Sequence, residues 1–158
     1  MLDVRFSSAL KVMLLLGHAD EQGSPVLSST QLARSLDTNP SLVRKLMVRL
    51  VQDGLVASIK GRSGGVRLGR PSDQITLEEI YRSSVGSKPL WAPRPEGPQE
   101  CLVTNHSAEY FVRLTDETEA AVLGALAGRT LADSLDELRA IDRAGGAPAA
   151  ASRDRQPA

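Results

Sequence analysis

Apolar residues recur at three- and four-residue spacing through Ser7–His18, where Leu10, Met13, Leu14 and Gly17 form one stripe. That spacing predicts a helix. Gly23-Ser24-Pro25 ends it and opens a loop, and Val26-Leu27 leaves room for a brief strand. Ser28 and Gln31 stand at the spacing of a capping box, so a second helix opens there and runs through Leu36. Asp37-Thr38-Asn39 reads as a tight turn. Asn39 suits an N-cap, and Pro40 suits the first helical position, where a missing N–H costs nothing. A third helix then spans about Ser41 to Gln52, with Val43, Leu46, Met47 and Leu50 inward and Ser41, Arg44, Lys45 and Arg49 outward.

The period changes after Asp53-Gly54. Leu55–Ile59 alternates at period two, Lys60–Gly65 reads as a turn, and Val66-Arg67-Leu68 as the return strand. The result is a β-hairpin with a basic, glycine-rich tip. Thr76 and Glu79 form a second capping box, in a helix read from Ile75 through Tyr81. Prolines 89, 93, 95 and 98 make the stretch from Gly86 to Glu100 a loop. A long helix follows from about Thr104 to Leu126, and Thr130 and Asp133 cap a last helix that ends near Ile141. The fold class is therefore mainly α with a small β-hairpin wing: a winged helix-turn-helix over 1–85, a loop over 86–102, a helical dimerisation region over 103–142 and a disordered tail over 143–158.

Formal net charge is +0, but its distribution is uneven. Ser28–Arg70 carries eight basic residues against two acids, and Pro71–Asp142 carries six against thirteen. A basic half joined to an acidic half is expected where one part meets a polyanion. Aromatics make up only 3 % of the chain, so the core must be aliphatic.

Two short helices meeting at a turn place the second in the major groove of DNA, with its N-terminal residues at base edges. The candidate DNA contacts are Ser41, Arg44, Lys45 and Arg49 on that helix, Asn39 before it, and Ser28, Thr30 and Gln31 at the start of the helix ahead of it. Lys60, Arg62, Gly64, Gly65 and Arg67 add the wing, where glycines let the backbone approach phosphate or the minor groove. The plain alternative is a solvated, charged helix face. The single sign of the charge and the glycine-rich wing that follows favour double-stranded DNA.

The run Leu55–Leu68, then Arg70-Pro71 and Ile75-Thr76-Leu77-Glu78-Glu79-Ile80, resembles the wing and following helix of the Rrf2 family of bacterial winged-helix regulators. Asn39–Leu46 resembles its recognition helix, in the manner of the cluster-free, YwnA-like branch, and the likeness extends over roughly Val4 to Leu138. The resemblance implies a homodimer on a pseudo-palindromic operator, acting as a repressor. It also implies a long helix that crosses to the partner, with Phe111, Leu114, Thr118, Val122 and Leu126 as the dimer stripe. Packing of that stripe inside one subunit is the alternative. Cluster-binding members carry three cysteines before this helix, whereas this chain has Cys101 alone. One thiolate cannot hold a cluster that takes four ligands, so no cofactor and no metal is expected.

Cys101 precedes a helix N-terminus, which favours the thiolate, and His106 lies five residues on. Cys101 is a candidate redox sensor, or an inert small hydrophobe. As an enzyme dyad, Cys101 and His106 lack an orienting third group, and with Glu100 they match no zinc spacing, so the chain is not read as an enzyme. His18 suits the C-terminal end of a helix dipole. Trp91 either anchors its loop or lines a pocket for a small-molecule effector that the sequence does not identify. A winged-helix protein-interaction module is the remaining rival. The lack of an apolar run of membrane-spanning length, the single cysteine and an N-terminus without the layout of a signal peptide lead us to expect a cytoplasmic protein.

Overall fold

The computed structural model describes residues 4–86, 88–91, 94, 97–98 and 100–145. Helix α1 (Arg5–Glu21) is followed by α2 (Ser29–Leu36) and α3 (Pro40–Gln52), then strands β1 (Val56–Ile59) and β2 (Gly65–Leu68). A single 3-10 turn (Ser72–Gln74) leads to α4 (Leu77–Val85), α5 (Leu102–Ala127) and α6 (Leu131–Gly145). The strands pair antiparallel, with Val56 opposite Leu68 and Ile59 opposite Gly65. Leu27 adds a single bridge to Val66 through two 2.9 Å hydrogen bonds, so the brief strand read at Val26-Leu27 is one residue long.

The core is aliphatic. Val12, Met13 and Leu16 of α1, Leu32 of α2, Val43 and Leu50 of α3, and Ile80 of α4 are all fully buried or nearly so. Leu46, read as inward, is only half-buried, because it stands at the edge of the α3 stripe. Burial of these side chains, at about 1.5–3 kcal/mol each, is what fixes α2 and α3 on α1.

Helix α6 returns to α1. Leu131 and Leu135 are buried there, and Arg139 pairs with Glu21. The segment 103–142 thus contains two packing units: α5, and an α6 that shares the core of the helix-turn-helix. Helix α1 is longer at both ends than the Ser7–His18 reading and α4 runs past Tyr81 to Val85; three further boundaries differ for a local reason. Ile75 is extended rather than helical, because its carbonyl accepts from Leu131 N–H (2.8 Å) while Thr76 bridges Thr130. Helix α5 starts at Leu102, the last residue of the segment read as loop and two residues ahead of Thr104, because Cys101 acts as its N-cap with Thr104 as partner. Helix α6 runs past Ile141, so Arg143–Gly145 continue it rather than opening the tail; residues 146–158 lie outside the described residues. Helix propagation past the last buried turn costs little where alanine and arginine follow.

Candidate nucleic-acid interface

Four caps set the site's frame. Gln31 N–H donates to Ser28 Oγ (3.2 Å) and Ser28 N–H to Gln31 Oε1 (2.8 Å), closing the box that starts α2. Leu42 N–H donates to Asn39 Oδ1 (3.0 Å) at the start of α3, with Pro40 beside it. Between them Asp37 takes the left-handed conformation, with φ 52°, and turns the chain sharply enough to set α3 across α2. The other two boxes, Thr76/Glu79 and Thr130/Asp133, hold α4 and α6.

The caps also sort the sequence-predicted contacts. The side-chain acceptors of Ser28, Gln31 and Asn39 are spent on their own helices, whereas Thr30 is exposed beside them. On α3, Ser41, Arg44 and Lys45 are exposed. Arg44 donates to Ser41 Oγ (3.2 Å) and reaches back to Ser29 Oγ on α2 (3.4 Å). Ser29 was not singled out from sequence. Its only signal is its place in the first turn of α2, fifteen residues before Arg44, and nothing in the spacing of two separate helices reveals that meeting.

The wing closes the other side. Lys60 and Arg62 stand exposed at its tip and Arg67 is exposed on β2. Gly61 has φ 113°, a conformation other residues rarely adopt. A Cβ on Gly64 would lie 2.4 Å from the Ile59 carbonyl oxygen. Ser28, Ser29, Arg44, Gly64 and Gly65 line one cavity of about 550 Å³ between α2, α3 and the wing. Two candidate cations do not line that cavity. Arg49 lies with its guanidinium against Gly86, at the end of α4, so it turns away from the Arg44 side. Lys45 lines a different cleft, towards α1. Arg70, one of the eight basic residues of this half, is bonded to Glu79 at 2.8 Å. Burial works against the Glu79 carboxylate, but hydrogen bonds from Thr76 and Arg70 outweigh it and hold its pKa below the usual range.

Helix α5 divides its apolar residues. Phe111 packs on Trp91 with ring centroids 6.5 Å apart, and Leu126 packs against the core, while Thr118 and Val122 are half-buried and Leu114 is exposed. Leu90 N–H donates to Glu119 (2.6 Å), which ties the Trp91 loop to the helix. A second face carries Val103, Tyr110 and Leu114, exposed at 68 %, 60 % and 39 %. Cys101 is exposed at the helix start. Bonds from the Thr104 backbone, and from its hydroxyl at 3.6 Å, lower the thiol pKa. Among the described residues no three His, Cys, Asp or Glu side chains are grouped to hold a metal ion, and no helix is long and apolar enough to cross a membrane.

A three-helix core with a cationic second helix of the helix-turn-helix and a basic two-stranded wing defines a winged-helix DNA-binding regulator. The chain belongs to the Rrf2 family, described as iron-dependent transcriptional regulators, whose profile matches residues 2–137. This is a family of regulators and not of enzymes. The chain is 34 % identical over 107 residues to YwgB of Bacillus subtilis (strain 168), assigned as an HTH-type transcriptional regulator, spanning 64 % of this chain and 67 % of that one. It is 26 % identical to YwnA of the same organism, over 87 % of this chain and 99 % of that one. Among solved structures it is similar to CymR, the global cysteine regulator of B. subtilis, with a TM-score of 0.60 and 26 % identity over 87 % of this chain and 97 % of that one.

Proposed function

We propose that the protein is a homodimeric cytoplasmic repressor that reads a pseudo-palindromic operator with α3 and the wing and works without an iron–sulfur cluster. The observation that carries this reading is the shared cavity beneath Arg44, Ser29 and Gly64-Gly65. It puts the recognition helix, the first turn of α2 and the wing on one side of the molecule. In the bound state Arg44 leaves its serine partners for a guanine edge, Ser41 contacts a neighbouring base, and Lys45 and the wing cations take phosphates. Thr30 and the first N–H groups of α2 hold a further phosphate.

Dimerisation is supported by the exposed face of α5, because Val103, Tyr110 and Leu114 follow one another along one side of the helix. The cluster-free reading rests on the donor set: the chain has one cysteine, and a cluster takes four ligands, mostly cysteine. The residues present do not fit the family's usual iron centre. Cys101 is proposed as the sensor in its place. Two Cys101 thiols, one per subunit, lose two electrons and two protons to a peroxide, which leaves as water, and join as a disulfide that weakens operator binding.

The test is binding of the reduced, full-length protein to the DNA upstream of its own gene, against random competitor, with and without mild peroxide. Selective binding that peroxide abolishes, with no abolition in Cys101→Ser, is expected. Selective binding indifferent to peroxide removes the sensor role and leaves the regulator. Binding that shows no preference and no salt dependence favours a protein-interaction module instead.

A further inference from the structure

We infer that the cleft between α1, α3 and α4 binds a small organic acid with an apolar body, and that this ligand weakens DNA binding. The cleft is about 780 Å³, within the ordinary range for small-molecule sites. Leu36, Leu42, Val43 and Leu46 give it an apolar wall, and the cationic residues Lys45 and Arg49 of α3 line it as well. Neither cation forms an ion pair among the described residues. Asp37 is the acid at the rim, and Arg5, which donates to the Val85 carbonyl at 3.1 Å, adds a third cation.

The independent observation lies on α4. Ser83 is 4 % exposed, lines the cleft, and its Oγ has no hydrogen-bond partner among the described residues. Its neighbour Ser84 satisfies its own hydroxyl on the Tyr81 carbonyl (3.1 Å). Buried hydroxyls normally find a partner, and an orphan is the exception that requires a reason. A carboxylate placed among Lys45, Arg49 and Ser83 would supply an acceptor for that hydroxyl and a counter-ion for both cations, while its hydrocarbon part covers the leucine wall.

The coupling to DNA follows from Lys45. It belongs to the recognition helix beside Arg44, so a carboxylate that engages it takes a cation away from phosphate. The same ligand braces α3 against α1 and α4. Linkage requires the effect to be reciprocal: operator DNA must weaken the acid by the factor the acid weakens DNA, about tenfold here. The coupling rests on the DNA-binding reading above; the site itself does not.

The experiment therefore has two arms on the full-length protein. In the first, without DNA, hexanoate and 4-phenylbutyrate are titrated by calorimetry and NMR against their neutral amides. Saturable binding of either acid is expected, with resonances of α3 and α4 shifting and the amides at least roughly tenfold weaker. Ser83→Ala should lose roughly tenfold in affinity for the acid while its Tm stays level or rises, because the hydroxyl has no partner to lose. Arg49→Gln should weaken the acid likewise. No saturable binding, equal binding of acid and amide, or a Ser83→Ala variant with unchanged affinity overturns the site. In the second arm, operator affinity is measured with the acid at saturation. A roughly tenfold loss in the wild type that Ser83→Ala suppresses supports the coupling, and an unmoved affinity overturns it. A protein that binds the acid but no DNA leaves the site standing and overturns the regulator reading.

Discussion

Gly65 comes so close to Leu27 that a Cβ built on it would stand 2.4 Å from the Leu27 carbonyl oxygen. That contact sits at the bridge where Leu27 and Val66 exchange backbone hydrogen bonds, just ahead of the Ser28 cap. One absent methyl group therefore sets how near the wing lies to α2. Gly65→Ala should push the wing out, cost about 1–3 kcal/mol as an overpacked contact does, and lower DNA affinity more than an equally destabilising change in α6. Melting temperatures paired with binding isotherms check both halves of the expectation.

Arg44 and the wing cations should fail in different ways. Arg44→Ala removes a base contact and should cost about 1–3 kcal/mol in operator affinity while relaxing preference at one position. Lys60→Ala and Arg62→Ala should weaken every DNA sequence alike and each lower the salt slope by about 1. Affinities on operator and scrambled DNA across a salt series separate the two behaviours. Ser29→Ala, which frees Arg44 from one partner (3.4 Å away), should be nearly neutral.

The exposed face of α5 predicts the oligomer. Tyr110→Glu or Leu114→Glu should convert a dimer to a monomer in sedimentation equilibrium with Tm of the isolated subunit little changed, because both side chains are exposed in the single chain. Thr115→Val makes a useful contrast, since Thr115 is buried and bonded to the Phe111 carbonyl at 2.8 Å.

Glu79 ties stability to pH. Its pKa lies below the ordinary 4.5, with burial opposed by the Thr76 and Arg70 bonds. The ionised form therefore favours the fold. Its contribution is complete above the unfolded carboxylate's pKa and is lost as pH falls through the lower folded value. Glu79 and Arg70 are each more than a third exposed, so the effect should stay below about 1 kcal/mol. Glu79→Gln should destabilise the protein at neutral pH and lose that penalty in acid, as urea melts at a series of pH values would record.

At Cys101, the Thr104 bonds shift the thiol pKa downward. Alkylation by iodoacetamide at neutral pH should accordingly run a few-fold faster than for free cysteine, and Thr104→Val should remove part of that advantage.

Local signals carried well from sequence to structure. The Ser28/Gln31, Thr76/Glu79 and Thr130/Asp133 boxes and the Asn39-Pro40 start each act within one helical turn, so residue identity alone locates them. The wing was equally readable, because its alternation and its glycines are contiguous. What could not be read depends on distant partners. Nothing near Leu131 announces that it will bury itself beside α1, more than a hundred residues upstream. The meeting of Ser29 with Arg44, the turning of Arg49 towards Gly86 and the orphaned hydroxyl of Ser83 are likewise products of helix packing. The stripe read along α5 follows helical periodicity, yet Leu126 faces the core while Tyr110, outside the stripe, is exposed.

The most direct test of the central claim is selection of bound DNA from a random library by the reduced, full-length protein, followed by affinity measurement of the winner across a salt series. The account predicts an enriched inverted repeat with half-sites about one helical turn apart, bound with a steep salt dependence that Arg44→Ala and Lys60→Ala blunt. A library that enriches nothing over random sequence, or binding that salt leaves unmoved, would contradict it.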